Sequence, residues 1–143
     1  MADLEAVRTA LAAAIATVPG LRATPTVPGQ ITPPMAVVAP GTGTFLDYDQ
    51  TIRGPADVIA ATYRMRVTLF VSEASAGPDS QVQLDSYLSD TGPASVKMAI
   101  ETDTTLAGVV DFAVVTAAQG YGFLQWGGIS YLACHLLVTC GVI

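Results

Sequence analysis

The side chains best suited to nucleophilic or metal chemistry in this chain are one histidine, His135, and two cysteines, Cys134 and Cys140. A nucleophile–base pair needs a hydroxyl or thiol within hydrogen-bond reach of the imidazole. The sequence holds no Gly-x-Ser-x-Gly, and Ser130, five residues before His135, falls on the other face of an extended strand. His135 sits among Leu132, Leu136, Leu137 and Val138 and reads as a core or interface residue. The cysteines are six positions apart on that strand, about 20 Å at ~3.3 Å per residue, too far to form a disulfide with each other. Neither has the spacing of a zinc site or of a known thiol enzyme. Asp47 and Asp49 share a strand face and could hold a hard cation or act as an acid–base pair. No further carboxylates follow at loop spacing, so a solvated strand end is the better reading. Gly41-Thr-Gly43 lacks the third glycine and the strand-to-helix setting of a dinucleotide fingerprint, and no P-loop is present. No catalytic, metal-binding or cofactor-binding residue is therefore assigned, and the chain is not expected to be an enzyme.

The remaining candidates are cationic. In Tyr63-Arg-Met-Arg-Val-Thr-Leu-Phe-Val-Ser72, the side chains of Tyr63, Met65, Val67, Leu69 and Val71 alternate with Arg64, Arg66, Thr68 and Ser72, Phe70 being the exception. This period of two predicts a half-buried strand, around which the rest of the chain is arranged. Arg64 and Arg66 project from its polar face, where they could grip phosphate or pair with acidic groups of a neighbouring strand or subunit. Two arginines on a chain of net charge −6 are a weak nucleic-acid signal.

Other elements follow from periodicity and punctuation. Leu4, Val7, Leu11, Ile15 and Val18 form one apolar stripe, predicting a helix over residues 3–18 that Pro19-Gly20 stops. Residues 23–34 carry four prolines and are extended, with a short strand near Leu21–Thr24. Met35–Ala39 is a strand, and Thr44–Asp49 its expected hairpin partner over Gly41-Thr-Gly43. A loop then runs to Ala61 with Asp57 and Arg53. Residues 79–90 form a helix with Val82, Leu84, Tyr87 and Leu88, and a second runs from Gly92-Pro93-Ala-Ser95 to about Asp103 with Val96, Ala99 and Ile100 inward. Val109–Ala117 is a strand, and Phe123–Trp126 with Ile129–Cys140 a hairpin over Gly127-Gly128. Gly120-Tyr-Gly122 is a turn. The order is α-β-β-β-α-α-β-β-β, segregated enough to predict an α+β fold: a mostly antiparallel twisted sheet with an N-terminal helix and two central helices packed on it. Residues 1–143 form one domain, burying roughly two-thirds of its unfolded surface.

Charged residues make up 13% of the chain, against about 25% in ordinary soluble domains. Either Ala, Thr, Ser and Gly build the surface, or neighbours cover part of it. No apolar run reaches the ~18 residues of a membrane span, and Ala10–Ala16 lacks the positive flank of a signal peptide. No membrane partner is expected, and synthesis in the cytosol is.

Several segments together carry a resemblance. They are Leu4-Glu-Ala-Val-Arg-Thr-Ala-Leu11, Pro28-Gly-Gln-Ile-Thr-Pro-Pro-Met35, Thr44-Phe-Leu-Asp-Tyr-Asp49 and Arg66-Val-Thr-Leu-Phe-Val71. Gln83-Leu-Asp-Ser-Tyr-Leu88, Gly92-Pro-Ala-Ser-Val-Lys97 and Gly120-Tyr-Gly122 with the final hairpin complete the set. In order and spacing the chain resembles the tail terminator, or head-to-tail joining, proteins of long-tailed bacteriophages, particularly those of actinobacteria. The resemblance covers nearly the whole chain, and no single motif in it is diagnostic. It implies a virion protein of the tail and neck, made in the host cytoplasm, that assembles into a six-fold ring. Such a ring caps the tail tube once the tape-measure protein has set its length, then receives the head connector. Double-stranded DNA passes through the lumen without specific binding, and an acidic ring suits that passage by repelling phosphates. The family brings no catalytic residues. A neighbouring neck or head-completion ring, a tail-tube ring, or a small-ligand module with its pocket between sheet and helices are the alternatives. On the terminator reading, Asp47, Asp49, Arg53 and Asp57 are expected on a loop touching a neighbour or the adjoining ring. Arg64 and Arg66 are expected in ion pairs between subunits.

Overall fold

The structure, a computed structural model, describes residues 3–48, 61–73 and 78–142. Its elements run α1 (Leu4–Ile15), β1 (Arg22–Thr24), β2 (Met35–Pro40), β3 (Leu46–Tyr48), β4 (Ala61–Glu73), α2 (Pro78–Tyr87), α3 (Val96–Glu101), β5 (Phe112–Trp126) and β6 (Ile129–Val142). The strands form one sheet in the order β1-β2-β4-β6-β5, with β3 also on β4. The β1–β2 pair is parallel and the others antiparallel. The fold is α+β.

Alternation along β4 decides what lies on each side. Tyr63, Met65, Val67, Leu69 and Val71 are buried in the main core, with Val7, Leu11 and Ile15 of α1, Leu84 of α2, and Val96 and Ile100 of α3. All three described helices thus cover one face. Asp3 caps α1 by accepting the Ala6 N–H at 2.7 Å, and Ser95 caps α3 by accepting the Met98 N–H at 3.0 Å. Each cap satisfies a donor that the first helical turn leaves unpaired.

Phe70 breaks the alternation because the other face has a small core of its own. Phe70 is fully buried there with Ile31, Val37, Tyr131 and Ala133. Its ring meets Trp126 and Tyr131 edge-on, at centroid distances of 5.8 and 5.6 Å. The proline-rich segment contributes Ile31 to this cluster, so that segment covers part of a face that none of the described helices reaches.

Several expectations are corrected. Residues 44–48 do not fold back on β2. Both β2 and β3 pair antiparallel with β4, at Met65–Phe70 and at Ala61–Tyr63 respectively, so they are two collinear pieces of one interrupted strand. The excursion between them opens opposite Arg64, whose carbonyl accepts the Gly41 N–H (2.8 Å) and whose N–H donates to the Phe45 carbonyl (2.7 Å). A Cβ on Gly41 would stand 2.9 Å from that Arg64 oxygen, which explains a glycine that sequence reading gives to a hairpin turn. The predicted strands 109–117 and 123–126 are one strand, β5, with register shifts at Val115/Ala117 and Gln119/Gly122. Gly120-Tyr-Gly122 lies inside the second shift and is not a turn. Gly127 and Gly128 do form the two-residue turn, with φ of 59° and 82°, as a twist-matched hairpin requires. In α2 the buried positions are Ser80, Leu84 and Tyr87, a helical i, i+4, i+7 row. Val82 falls off that row and is 65% exposed.

Candidate subunit interface

Two surfaces of the sheet stand out: the outer edge of β5 and the helix-free face around β4. Among the described residues, β5 pairs only with β6 and ends the sheet. Neither strand of the β5–β6 hairpin carries a lysine, arginine or carboxylate, and β5 holds no proline. Phe123 is 67% exposed, and Tyr121 and Ile129 are nearly half exposed. Natural edge strands are usually blunted by charge, proline, bulges or shortness. Among the described residues, the two bulges and one side chain do this: the Glu101 carboxylate accepts the Val115 N–H at 2.9 Å. Glu101 also takes a hydrogen bond from Lys97. Burial alone would raise the Glu101 pKa, but these two donors outweigh it and hold the carboxyl below its usual value.

The helix-free face holds the cationic candidates. Cross-strand register places Thr68 beside His135, Arg66 beside Leu137 and Arg64 beside Thr139. Arg22 joins this face through its partners Met35 and then Phe70. Arg64 reaches Asp47 of the same chain at 3.8 Å, with both side chains about half exposed. Such a pair contributes little, roughly 0–1 kcal/mol. Arg66 is half-buried, and its Nε is shielded from solvent with no hydrogen-bond partner among the described residues. His135 Nδ1 lies 2.8 Å from Thr68 Oγ1. Burial first, then the nearby Arg66 charge, push its pKa below 6.5, so the ring is neutral at physiological pH. Gly120, at φ +68°, lets β5 pass over this ring, since a Cβ there would come within 3.1 Å of His135 Cδ2.

Of the residues expected at an interface, the structure brings together Asp47, Arg64 and Arg66. Asp49, Arg53 and Asp57 lie outside the described residues. Sequence reading missed the β5 edge, although the charge-free run from Phe112 to Trp126 was there as a signal. It also missed that Arg22 shares the face of Arg64 and Arg66, because the β1–β2 register cannot be read from so short a strand.

Cys134 and Cys140 are buried free thiols, and burial pushes Cys140 up to about 12, leaving it unreactive at neutral pH. Among the described residues no group of three or more His, Cys, Asp or Glu is placed to hold a metal, and no helix is long and apolar enough to cross a membrane. An apolar groove of about 440 Å³ runs between α1 and α3 along Ala10, Ala13, Ala14, Ala99 and Leu106. Its one carboxylate, Asp103, is already taken up by the turn that follows α3, accepting from Thr105 and Ala107. No protein-family model matches the chain, and no curated protein does either.

Proposed function

We propose that this chain is a structural subunit that assembles into a ring, with no catalytic role. In that ring, as in the tail terminators its segments resemble, it caps a phage tail tube, ends polymerisation and joins the tail to the head connector. The observation that carries self-assembly is the β5 edge: fifteen residues long, uncharged, with Phe112, Tyr121 and Phe123 exposed, and strand-paired on one side among the described residues. Exposed edges of this kind are templates for another strand. A sparsely charged surface supports the same reading, since a ring buries two different patches on every subunit. The capping role rests on the order of the resembling segments. The partners that follow are further copies in a six-fold ring, the tail-tube protein, the tape measure and the head connector, with DNA passing unbound through the lumen.

The test is light scattering of the purified protein across concentration with negative-stain imaging, followed by addition of tail tubes from the same virus. Rings and capped tube ends are expected. A monomer that neither binds nor caps tubes overturns the proposal.

A further inference from the structure

The distribution of charge over the two faces is uneven, and it suggests how copies meet. The helix-free face carries Arg22, Arg64 and Arg66, although the chain has only six lysines and arginines in all. The outward side of α2 and the turn after it carry Asp79, Asp85 and Asp90 with no lysine or arginine among residues 78–90. One oxygen of Asp85 accepts the Tyr121 hydroxyl at 2.9 Å, and both Asp85 and Asp90 are exposed, Asp90 at the rim of a pocket that Lys97 of α3 also lines. That stretch also exposes Val82, while half-buried Leu137 and Ala39 flank Arg66 on the opposite side of the sheet. The Nε of Arg66, like that of Arg8, is shielded and has no acceptor among the described residues, but Arg66 as a whole is only half-buried, so a carboxylate arriving at its open part would meet a charge that is already partly desolvated.

We propose that the helix-free face around Arg66 of one copy receives the acidic outer side of α2 from a second copy. A carboxylate of Asp85 or Asp90 would meet the Arg66 guanidinium, and Val82 would rest against Leu137. The two patches lie on opposite sides of the sheet. Contact is therefore front to back, a heterologous interface of the kind that closes into rings. This inference rests on the ring reading above and deepens it by naming both surfaces. Like charges also keep the wrong contacts apart, because α2 against α2 sets acid against acid.

Charge-swapped variants provide the test. Arg66→Glu spoils only the receiving face, and Asp85→Lys with Asp90→Lys spoils only the inserting one. Circular dichroism and thermal melts check that each variant folds, with Arg66→Gln as a milder second variant. Each charge-reversed variant alone is expected to associate at least roughly 30-fold more weakly than the unaltered chain, the lower end for losing a desolvated charge pair. An equimolar mixture is expected to recover association, since the introduced carboxylate then faces the introduced lysines and the unaltered Arg66 faces unaltered acids. Recovery supports the front-to-back contact. A mixture that stays dissociated, or an Arg66→Glu variant that associates like the unaltered chain, overturns it while leaving tube capping intact as a separate test of the ring reading. An Arg66→Glu variant that loses thermal stability but not association also overturns it, by assigning Arg66 a carboxylate of its own chain. If the unaltered protein stays monomeric at every concentration, the contact is excluded, and tube capping alone then decides the functional reading.

Discussion

The two long strands β4 and β5 make opposite use of the same extended backbone. β4 is bonded along both edges, by β6 on one side and by β2 and β3 in series on the other. It buries alternate residues in the main core and places Arg64 and Arg66 between them. β5 pairs with a strand on one edge among the described residues, is exposed over most of its length and has no charge. Inside a sheet a strand can carry charge on an open face, because its main-chain groups are satisfied and only side chains meet solvent. At the border the main chain itself is exposed, and a strand lacking charge there is open to another strand. On the ring reading proposed above, the β4 backbone serves the fold and only its Arg66 side chain serves a neighbour, whereas β5 offers its main-chain edge.

The largest effect that sharpens this contrast is at Phe70. Phe70→Ala should cost about 3–5 kcal/mol, since it empties the centre of the second core. A denaturant titration measures it, and a cost below ~1 kcal/mol would mean that the helix-free face has no true core. Next is Gly41→Ala, expected to cost roughly 1–3 kcal/mol because the added methyl meets a backbone oxygen that cannot rotate away. The loss should appear in the unfolding midpoint with little change in the denaturant slope.

The β4 pattern and the α1 stripe were legible in the sequence because each is a period that one core face imposes directly. The hairpin assigned to 35–49 was not, and the reason is physical. A glycine pair between two short apolar runs is equally compatible with chain reversal and with an excursion that rejoins the same line. Only the two hydrogen bonds to Arg64 decide between them. The exceptional Phe70 marked a second core whose other members, Ile31 and Tyr131 among them, come from distant parts of the chain. No local pattern reports that. Arg64 and Arg66 were found as candidates by alternation alone, whereas the β5 edge depends on strand order, which one sequence does not supply.

Smaller effects fall at the border. Phe123→Asp should leave the stability of the isolated chain within ~0.5 kcal/mol, as exposed substitutions do, while weakening association in sedimentation or light scattering. Equal losses in both measurements would break the division between the strands. At Glu101 the folded pKa lies below the ordinary 4.5. Its contribution is therefore complete above that value and is lost as the pH falls through the folded pKa. Glu101→Gln should flatten this part of the acid limb, at a cost under ~1 kcal/mol near neutrality.

The smallest effect is a titration, and it tests whether Arg66 acts electrostatically on the face it occupies. His135 is the one histidine of the chain, so its proton resonances report a single site. Its folded pKa lies below 6.5 through burial first and the Arg66 charge second. A depressed histidine means that the unfolded chain binds more protons in the interval between the two pKa values. Stability is therefore full above pH 6.5 and declines as pH falls towards and through the folded pKa. Removing the charge with Arg66→Gln takes away the second cause and leaves the first. The His135 resonance should then titrate at a higher pH than in the unaltered chain, yet still below 6.5. A midpoint that does not move would show that burial alone sets it, and that the Arg66 charge acts elsewhere. A midpoint that also moves up when the unaltered protein associates would place a carboxylate of the arriving copy against Arg66, partly neutralising its field at the imidazole.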